Sequence, residues 1–202
     1  MTVRQSPICF QPALSDRDVM DAMKAIEGYI DITPSDFREI YRLAFRHAID
    51  RVLHTASARQ IMTPDPHVIP MDMNLMEAAG ILARARISGA PVVDPVFRVT
   101  GVVSEKDFLT AFGLDPSASF MQIIRHCLLS QECFQPSTGK DTVSAIISRP
   151  AITAGPDASL SLLSGLMSEN RINRIPIVDY GGKAIGIVTR GDLTHAIAAL
   201  KP

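Results

Sequence analysis

Thr189-Arg190-Gly191-Asp192 has residue types and spacing that suit phosphate and sugar recognition. The segment follows an apolar run, Ala184–Val188, and opens a helical pattern. Backbone N–H groups at a helix N-terminus attract phosphate. The Thr189 hydroxyl would join them, and Arg190 would add a charge-assisted contact. Asp192 would accept hydrogen bonds from ribose hydroxyls, as acidic residues do in dinucleotide folds. The structural alternative is a capping box, with Thr at N-cap and Asp three residues on.

Ser104-Glu105-Lys106-Asp107 has the same form, with an acid where Arg190 stands. Each segment follows a Gly and an apolar pair, Gly101-Val-Val and Gly186-Ile-Val, and this pairing favours the ligand-binding reading. Near the later segment the chain offers Arg171, Arg174 and Arg190. Near the earlier one it offers Arg86 and Lys106 against Glu105, with Gly89 where Arg174 would be. Ionised donors bind phosphate oxygens more strongly, so the Asp192 site is expected to be the better polyphosphate site. Glu105 is expected to leave the Asp107 site empty or restrict it to a less charged ligand.

Other chemistry is poorly provided for. His47 and His54 are seven residues apart on one helical stretch, and His126, Cys127 and Cys133 fall together later. None has CxxC or HxxxH spacing, and no P-loop, GxGxxG or Ser-His-Asp order stands out. Neither a metal centre nor an enzyme is expected, and no obligatory cofactor.

Composition narrows the classes further. Lys+Arg is 20 and Asp+Glu is 21 in 202 residues, a formal charge of -1 that gives no basic footprint for nucleic acid. Aromatics are 5% and Trp is absent, so stacking platforms for bases are scarce. At 47% hydrophobic the chain can bury an aliphatic, Met-padded core. No apolar run approaches the length of a membrane span, and MTVRQSPICF lacks the apolar centre of a signal peptide. Three cysteines, Cys9, Cys127 and Cys133, suit free thiols in a reducing cytoplasm.

The elements that must position the two segments repeat. At an offset of 85 residues, Arg86–Asp94 falls on Arg171–Asp179 and Gly101–Asp107 on Gly186–Asp192. Ile61, Asp72, Leu75 and Gly80 fall on Ile146, Asp157, Leu160 and Gly165. About a dozen identities lie in this ungapped stretch, so 58–112 and 143–199 read as two copies of one unit. Each copy reads strand, helix, strand, strand, helix. Val68-Ile69 and Ile152–Ala154 are short strands. Leu75, Ala78, Ala79, Leu82 and Ala85, then Leu160, Leu163, Leu166 and Met167, have helical spacing, with Asp72 and Asp157 as start signals. Pro91–Asp94 and Pro176–Asp179 are strands with Pro at the first position, and Phe97–Val103 and Ala184–Val188 follow. Tyr180-Gly-Gly182 is a hairpin turn.

A unit of about 55 residues is marginal alone, so the copies are expected to pack apolar sheet faces into one core. Residues 1–57 form a helical extension with a cap at Ser15 and another at Thr33-Pro34. Its stripe of Phe37, Ile40, Tyr41, Ala44, Phe45, Ala48, Ile49 and Val52 is broad enough to pack. Residues 113–142 are an insert, with a helix at Phe120–Leu129 and a loop at Gln135–Lys140, and the second unit occupies 143–202.

At these residues the chain resembles a tandem pair of cystathionine-β-synthase-type (CBS) domains. The resemblance rests on Ile61-Met-Thr63, the apolar-Pro-Val-Val-Asp block and the Gly-x-x-Ser/Thr-x-x-Asp block, the last two present in both copies. It covers about 140 of the 202 residues. It implies an α/β (α+β) fold of two β-α-β-β-α units with pseudo-two-fold symmetry and a helical N-terminal segment. Asp31–Pro34 and Ala44–Ala48 look similar to bacterial lead-ins of this family. The resemblance also implies clefts that bind AMP, ADP, ATP or a related adenosyl compound, a homodimer, and a regulated protein partner. On the family pattern Thr63 and Thr153 line the adenine and sugar side. Ala90 and Ile175, before Pro91 and Pro176, contact the base. Ser104, Asp107, Arg174, Pro176, Thr189, Arg190 and Asp192 complete the sites. The sequence leaves open which copy lends which residue to a cleft. The competing reading is an interaction protein with vestigial clefts that acts through its helical N-terminus.

Overall fold

The computed structural model describes residues 16–26, 31–115, 119–129, 142–147 and 149–198. The cap expected at Ser15, the loop expected at Gln135–Lys140, and Cys9 and Cys133 lie outside these residues. The lead-in holds α1 (Asp16–Ala25) and α2 (Pro34–Thr55). At the start of α2, Pro34 occupies a position that needs no N–H donor. The Thr33 N–H and hydroxyl donate to Asp36 Oδ2 at 2.9 and 2.7 Å, closing a capping box. These bonds, the hydroxyl's first, hold the Asp36 carboxyl below its ordinary pKa of 3.8. The apolar stripe of α2 is not buried within the chain, and Ile40 remains 55% exposed.

The chain continues through α3 (Ala58–Ile61) and β1 (Thr63–Pro64) into the first copy. That copy is β2 (Ile69–Pro70), α4 (Leu75–Ala85), β3 (Gly89–Val93), β4 (Val99–Ser104) and α5 (Glu105–Ala111). The insert helix is α6 (Phe120–Leu129). A 3-10 turn at Val143–Ala145 leads to α7 (Leu160–Glu169), β5 (Arg174–Val178), β6 (Ala184–Thr189) and α8 (Arg190–Ala198). The strand expected at Ile152–Ala154 is reduced to one parallel bridge, Ala154 to Ile177. The Tyr180-Gly-Gly182 turn forms with Gly182 at φ 80°, the left-handed region that glycine enters without steric cost.

Asn74 and Ser159 cap α4 and α7, accepting from the N–H of Met76 at 2.8 Å and of Leu162 at 3.2 Å. Asp72 and Asp157 lie two residues before these caps, too far out for that role. The prolines stand third in their strands rather than first, because β3 and β5 begin at Gly89 and Arg174. The Ala154 N–H donates to the Pro176 carbonyl at 3.1 Å, and the Val178 N–H to the Ala154 carbonyl at 2.9 Å. Pro176 therefore turns its donor-free nitrogen to the open end of this short ladder, where no bond is lost.

The sheets show how the copies are joined. One has the order β2-β3-β4 and the other β1-β6-β5, so β1 crosses into the second copy. Ala58 lies in the second copy's core with Leu160, Leu163, Met167, Ile175 and Ile177. Val143 lies in the first copy's core with Ile69, Leu75, Leu82, Val92 and Val103. The bridges Ser57–Ser159 and Thr142–Asn74 are equivalent at the repeat offset and mark the same exchange. The expected single core is thus two cores, one behind each sheet. Each unit is too small to close its own core, and each borrows the other's lead-in.

Candidate functional site

Two clefts open between the copies. One, of about 610 Å³, includes Thr63, Arg86, Pro91, Arg174, Thr189 and Arg190 in its walls. The other, of about 510 Å³, includes Ser104, Asp107, Arg149, Ile152, Arg171 and Arg174. Most of their lining positions correspond at the repeat offset. Each takes its helix start from one copy and its lead-in and helix end from the other.

This crossing redistributes the arginines. Arg171 lines the Ser104 cleft, not the Thr189 cleft, because α7 ends against the first copy's helix start. The basis for expecting a more basic Asp192 site is therefore removed. The Thr189 cleft holds Arg86, Arg174 and Arg190 with Asp65. The Ser104 cleft holds Lys106, Arg149, Arg171 and Arg174 with Glu105 and Asp107. Both keep a positive surplus, a charge balance that suits an anion. Arg86 and Arg171, the equivalent residues that follow α4 and α7, both have φ 54°. A left-handed conformation costs a non-glycine residue about 1–2 kcal/mol, and here it occurs at one arginine of each cleft.

Arg174 stands between the clefts and lines both, as do Ser88 and Asn173. Its Nη2 donates to Ser88 Oγ at 2.8 Å. Burial lowers the Arg174 pKa, and the Glu105 and Asp107 carboxylates act in the opposite direction.

The helix starts form the capping boxes anticipated as the structural alternative. The Thr189 N–H and hydroxyl both donate to Asp192 Oδ2 at 2.7 Å, and the Asp192 N–H donates to Thr189 Oγ1 at 3.3 Å. Ser104 donates to Asp107 Oδ2 through its N–H at 2.7 Å and its hydroxyl at 2.6 Å. The Arg190 N–H donates to the Asn173 carbonyl and the Glu105 N–H to that of Ser88. Several donors expected to face a phosphate are thus engaged within the chain. Arg190 itself reaches back to the carbonyls of Ile172 and Met167, both at 3.4 Å.

Of the predicted site residues, Thr63, Arg174, Thr189 and Arg190 come together in one cleft, and Ser104, Asp107 and Arg174 in the other. Asp192 holds Thr189 and does not line the Thr189 cleft. Ala90 and Ile175 are buried in the two cores, and Pro176 is buried beside Ile175. Thr153 lines neither cleft and precedes the Ala154 bridge. Ser88, Asn173, Asp65 and Arg149 escaped the sequence reading. The offset pairs Ser88 with Asn173, and that signal was there to find.

Among the described residues, no three His, Cys, Asp or Glu side chains gather as a metal site. No helix among them is long and apolar enough to cross a membrane.

Several known proteins match most of the chain. Protein MJ1426 of Methanocaldococcus jannaschii is 31% identical over 144 residues, covering 65% of this chain and 86% of that protein. CBSX1, a chloroplastic CBS domain-containing protein of Arabidopsis thaliana, is 26% identical over 68% of this chain and 61% of its own length. An inosine-5'-monophosphate dehydrogenase of Nitrosopumilus maritimus is 26% identical, but the match spans just 27% of that enzyme. Among solved structures, CBSX2 of Arabidopsis thaliana in complex with AMP superposes with a TM-score of 0.57 at 25% identity, covering 72% of this chain and 99% of that one. The CBS domain of a membrane protein from Sphaerobacter thermophilus gives 0.58 at 29%, covering 78% and 97%. The CBS domain pair of protein MJ0100, in complex with 5'-methylthioadenosine and S-adenosyl-L-methionine, gives 0.52 at 25%, covering 69% and 98%. The family model for the CBS domain matches residues 58–114 and 143–199, the two copies whose lead-ins cross in the fold. The chain belongs to the CBS domain family and carries two of its domains.

Proposed function

We propose that this protein is a non-catalytic regulatory module that binds an adenosine nucleotide, AMP, ADP or ATP, in the clefts between its two CBS domains. The observation that carries this reading is the pair of related clefts, about 510 and 610 Å³, each with a Ser or Thr helix start facing arginines. Clefts of this volume suit small-molecule ligands. CBSX2 bound to AMP and the MJ0100 pair bound to adenosyl compounds support the ligand class. Because each cleft is walled by both copies, a ligand that prefers one angle between them shifts the population toward it, and a partner protein reads that angle. The odd cysteine count supports a cytoplasmic setting.

The uncovered face of α2, with Ile40 55% and Leu43 44% exposed, supports a homodimer seam. It also favours the second reading, an interaction protein that works through its N-terminal helices. A thermal-shift panel with AMP, ADP, ATP and S-adenosylmethionine separates the two. A ligand of the native state raises the melting temperature by mass action. A rise with at least one nucleotide supports the sensing module; no shift with any at millimolar concentration supports the interaction protein.

A further inference from the structure

Positions 89 and 174 are equivalent in the repeat, and they meet between the two clefts. A symmetric pair would bring one side chain from each copy to this point. Here the first copy has glycine. A Cβ on Gly89 would lie 2.8 Å from Arg174 Cζ and would overlap the Val103 carbonyl oxygen, which belongs to a strand and cannot swing away. There is room for one side chain at the centre, and the second copy supplies it. Two clefts that each suit an anion therefore face one shared guanidinium.

We propose that Arg174 couples the two clefts negatively: a phosphate bound in one cleft takes the guanidinium and weakens phosphate binding in the other. The proposal rests on the nucleotide reading above and adds its regulation. Arginine grips phosphate with a planar fork, and a fork turned into one cleft is turned away from the other. In the free protein the fork is tethered to Ser88 Oγ, a residue that lines both clefts, so either direction is open to it. Glu105 and Asp107 face Arg174 from the Ser104 side. The Thr189 cleft supplies Asp65 and His67, and Arg86 and Arg190 add positive charge there. The coupling is reciprocal, as for any pair of linked binding equilibria. It follows the ligand's charge: adenosine, with no phosphate, makes no claim on Arg174.

The test is isothermal titration of the full chain with AMP and with adenosine. Ala151 and Pro66 are equivalent residues, one in each cleft, and Ala151→Trp and Pro66→Trp each fill one cleft. The product of the two stepwise association constants of the intact protein, divided by the product of the two single-cleft constants, is the coupling factor. For AMP it is expected to be about 0.1 or smaller, within the usual range of allosteric coupling. For adenosine, and for AMP on an Arg174→Gln background, it is expected to return to near one. Should the filled variants fold poorly, the intact protein still decides. Its two AMP steps must be separated more widely than its two adenosine steps, and Arg174→Gln must close the difference. A factor near one for AMP, or equal step separations for AMP and adenosine, overturns the coupling and leaves nucleotide binding standing. No binding of either compound at millimolar concentration overturns both.

Discussion

Thr63 pairs with Ile187 across the repeat, placing the first copy's lead-in on the second copy's last strand. The next pair, Pro64 with Gly186, explains a glycine: a Cβ there would lie 2.8 Å from Met62 Cγ. Through β1 the N-terminal helices are continuous with a wall of the Thr189 cleft. Ligand occupancy and the position of α2 therefore share one stretch of backbone.

The exchange predicts where a core mutation is felt. Val143 is fully buried in the first copy's core although it is the first residue of the second copy. Val143→Ala is expected to cost roughly 1–3 kcal/mol in denaturant titration. Hydrogen exchange should quicken in β3 and β4 before β5 and β6. Faster exchange in β5 and β6 alone would contradict the exchanged cores.

Asp192 carries two roles in this account. Asp192→Ala removes the capping box of α8 and should cost about 1 kcal/mol of stability. The Asp192 carboxylate also holds Thr189, which lines the cleft, through two bonds to Oδ2. AMP affinity should fall as well. Asp192→Asn, which keeps an acceptor, should recover most of the stability and less of the affinity, as read by melting and calorimetry together.

Arg171 sets stability against binding. Its φ of 54° is strained for a side-chain-bearing residue. Arg171→Gly is expected to be neutral or to stabilise the fold by up to about 1 kcal/mol, since glycine adopts that conformation without strain. The same change should weaken AMP binding in the Ser104 cleft several-fold. A loss of stability with unchanged affinity would place Arg171 in the fold rather than the site.

Acid should loosen α2 from its N-terminus. The Asp36 carboxyl is depressed by its bonds to Thr33, so its contribution is present above the ordinary value of 3.8 and is lost as the pH falls through its lower folded value. Amide chemical shifts of residues 33–37 are expected to move in that window, and Thr33→Ala should erase much of the change.

Much of this was legible in the sequence. The offset of 85 located both copies and both helix starts, and the paired glycines marked the hairpin. What it could not show is which copy packs on which, because a repeat establishes equivalence and is silent about exchange. The crossing decides the arginine inventory of each cleft, so the ranking built on Arg171 beside Arg190 fell with it. Thr63 and Thr153 are not equivalent: the offset pairs Thr63 with position 148, and the Thr153 side of the match breaks down for that reason. Ala90, Ile175 and Pro176 stand in the family's motif, and their β3 and β5 positions are buried.

The central claim is that adenosine nucleotides occupy the clefts between the copies. Titrating the isotope-labelled full chain with AMP and following amide chemical shifts tests it most directly. Saturable shifts are expected, concentrated at Ser88, Gly89, Asn173, Arg174 and Gly191, which line the clefts. Saturation with shifts confined to α2 and α6, or no shifts at millimolar AMP, would contradict it.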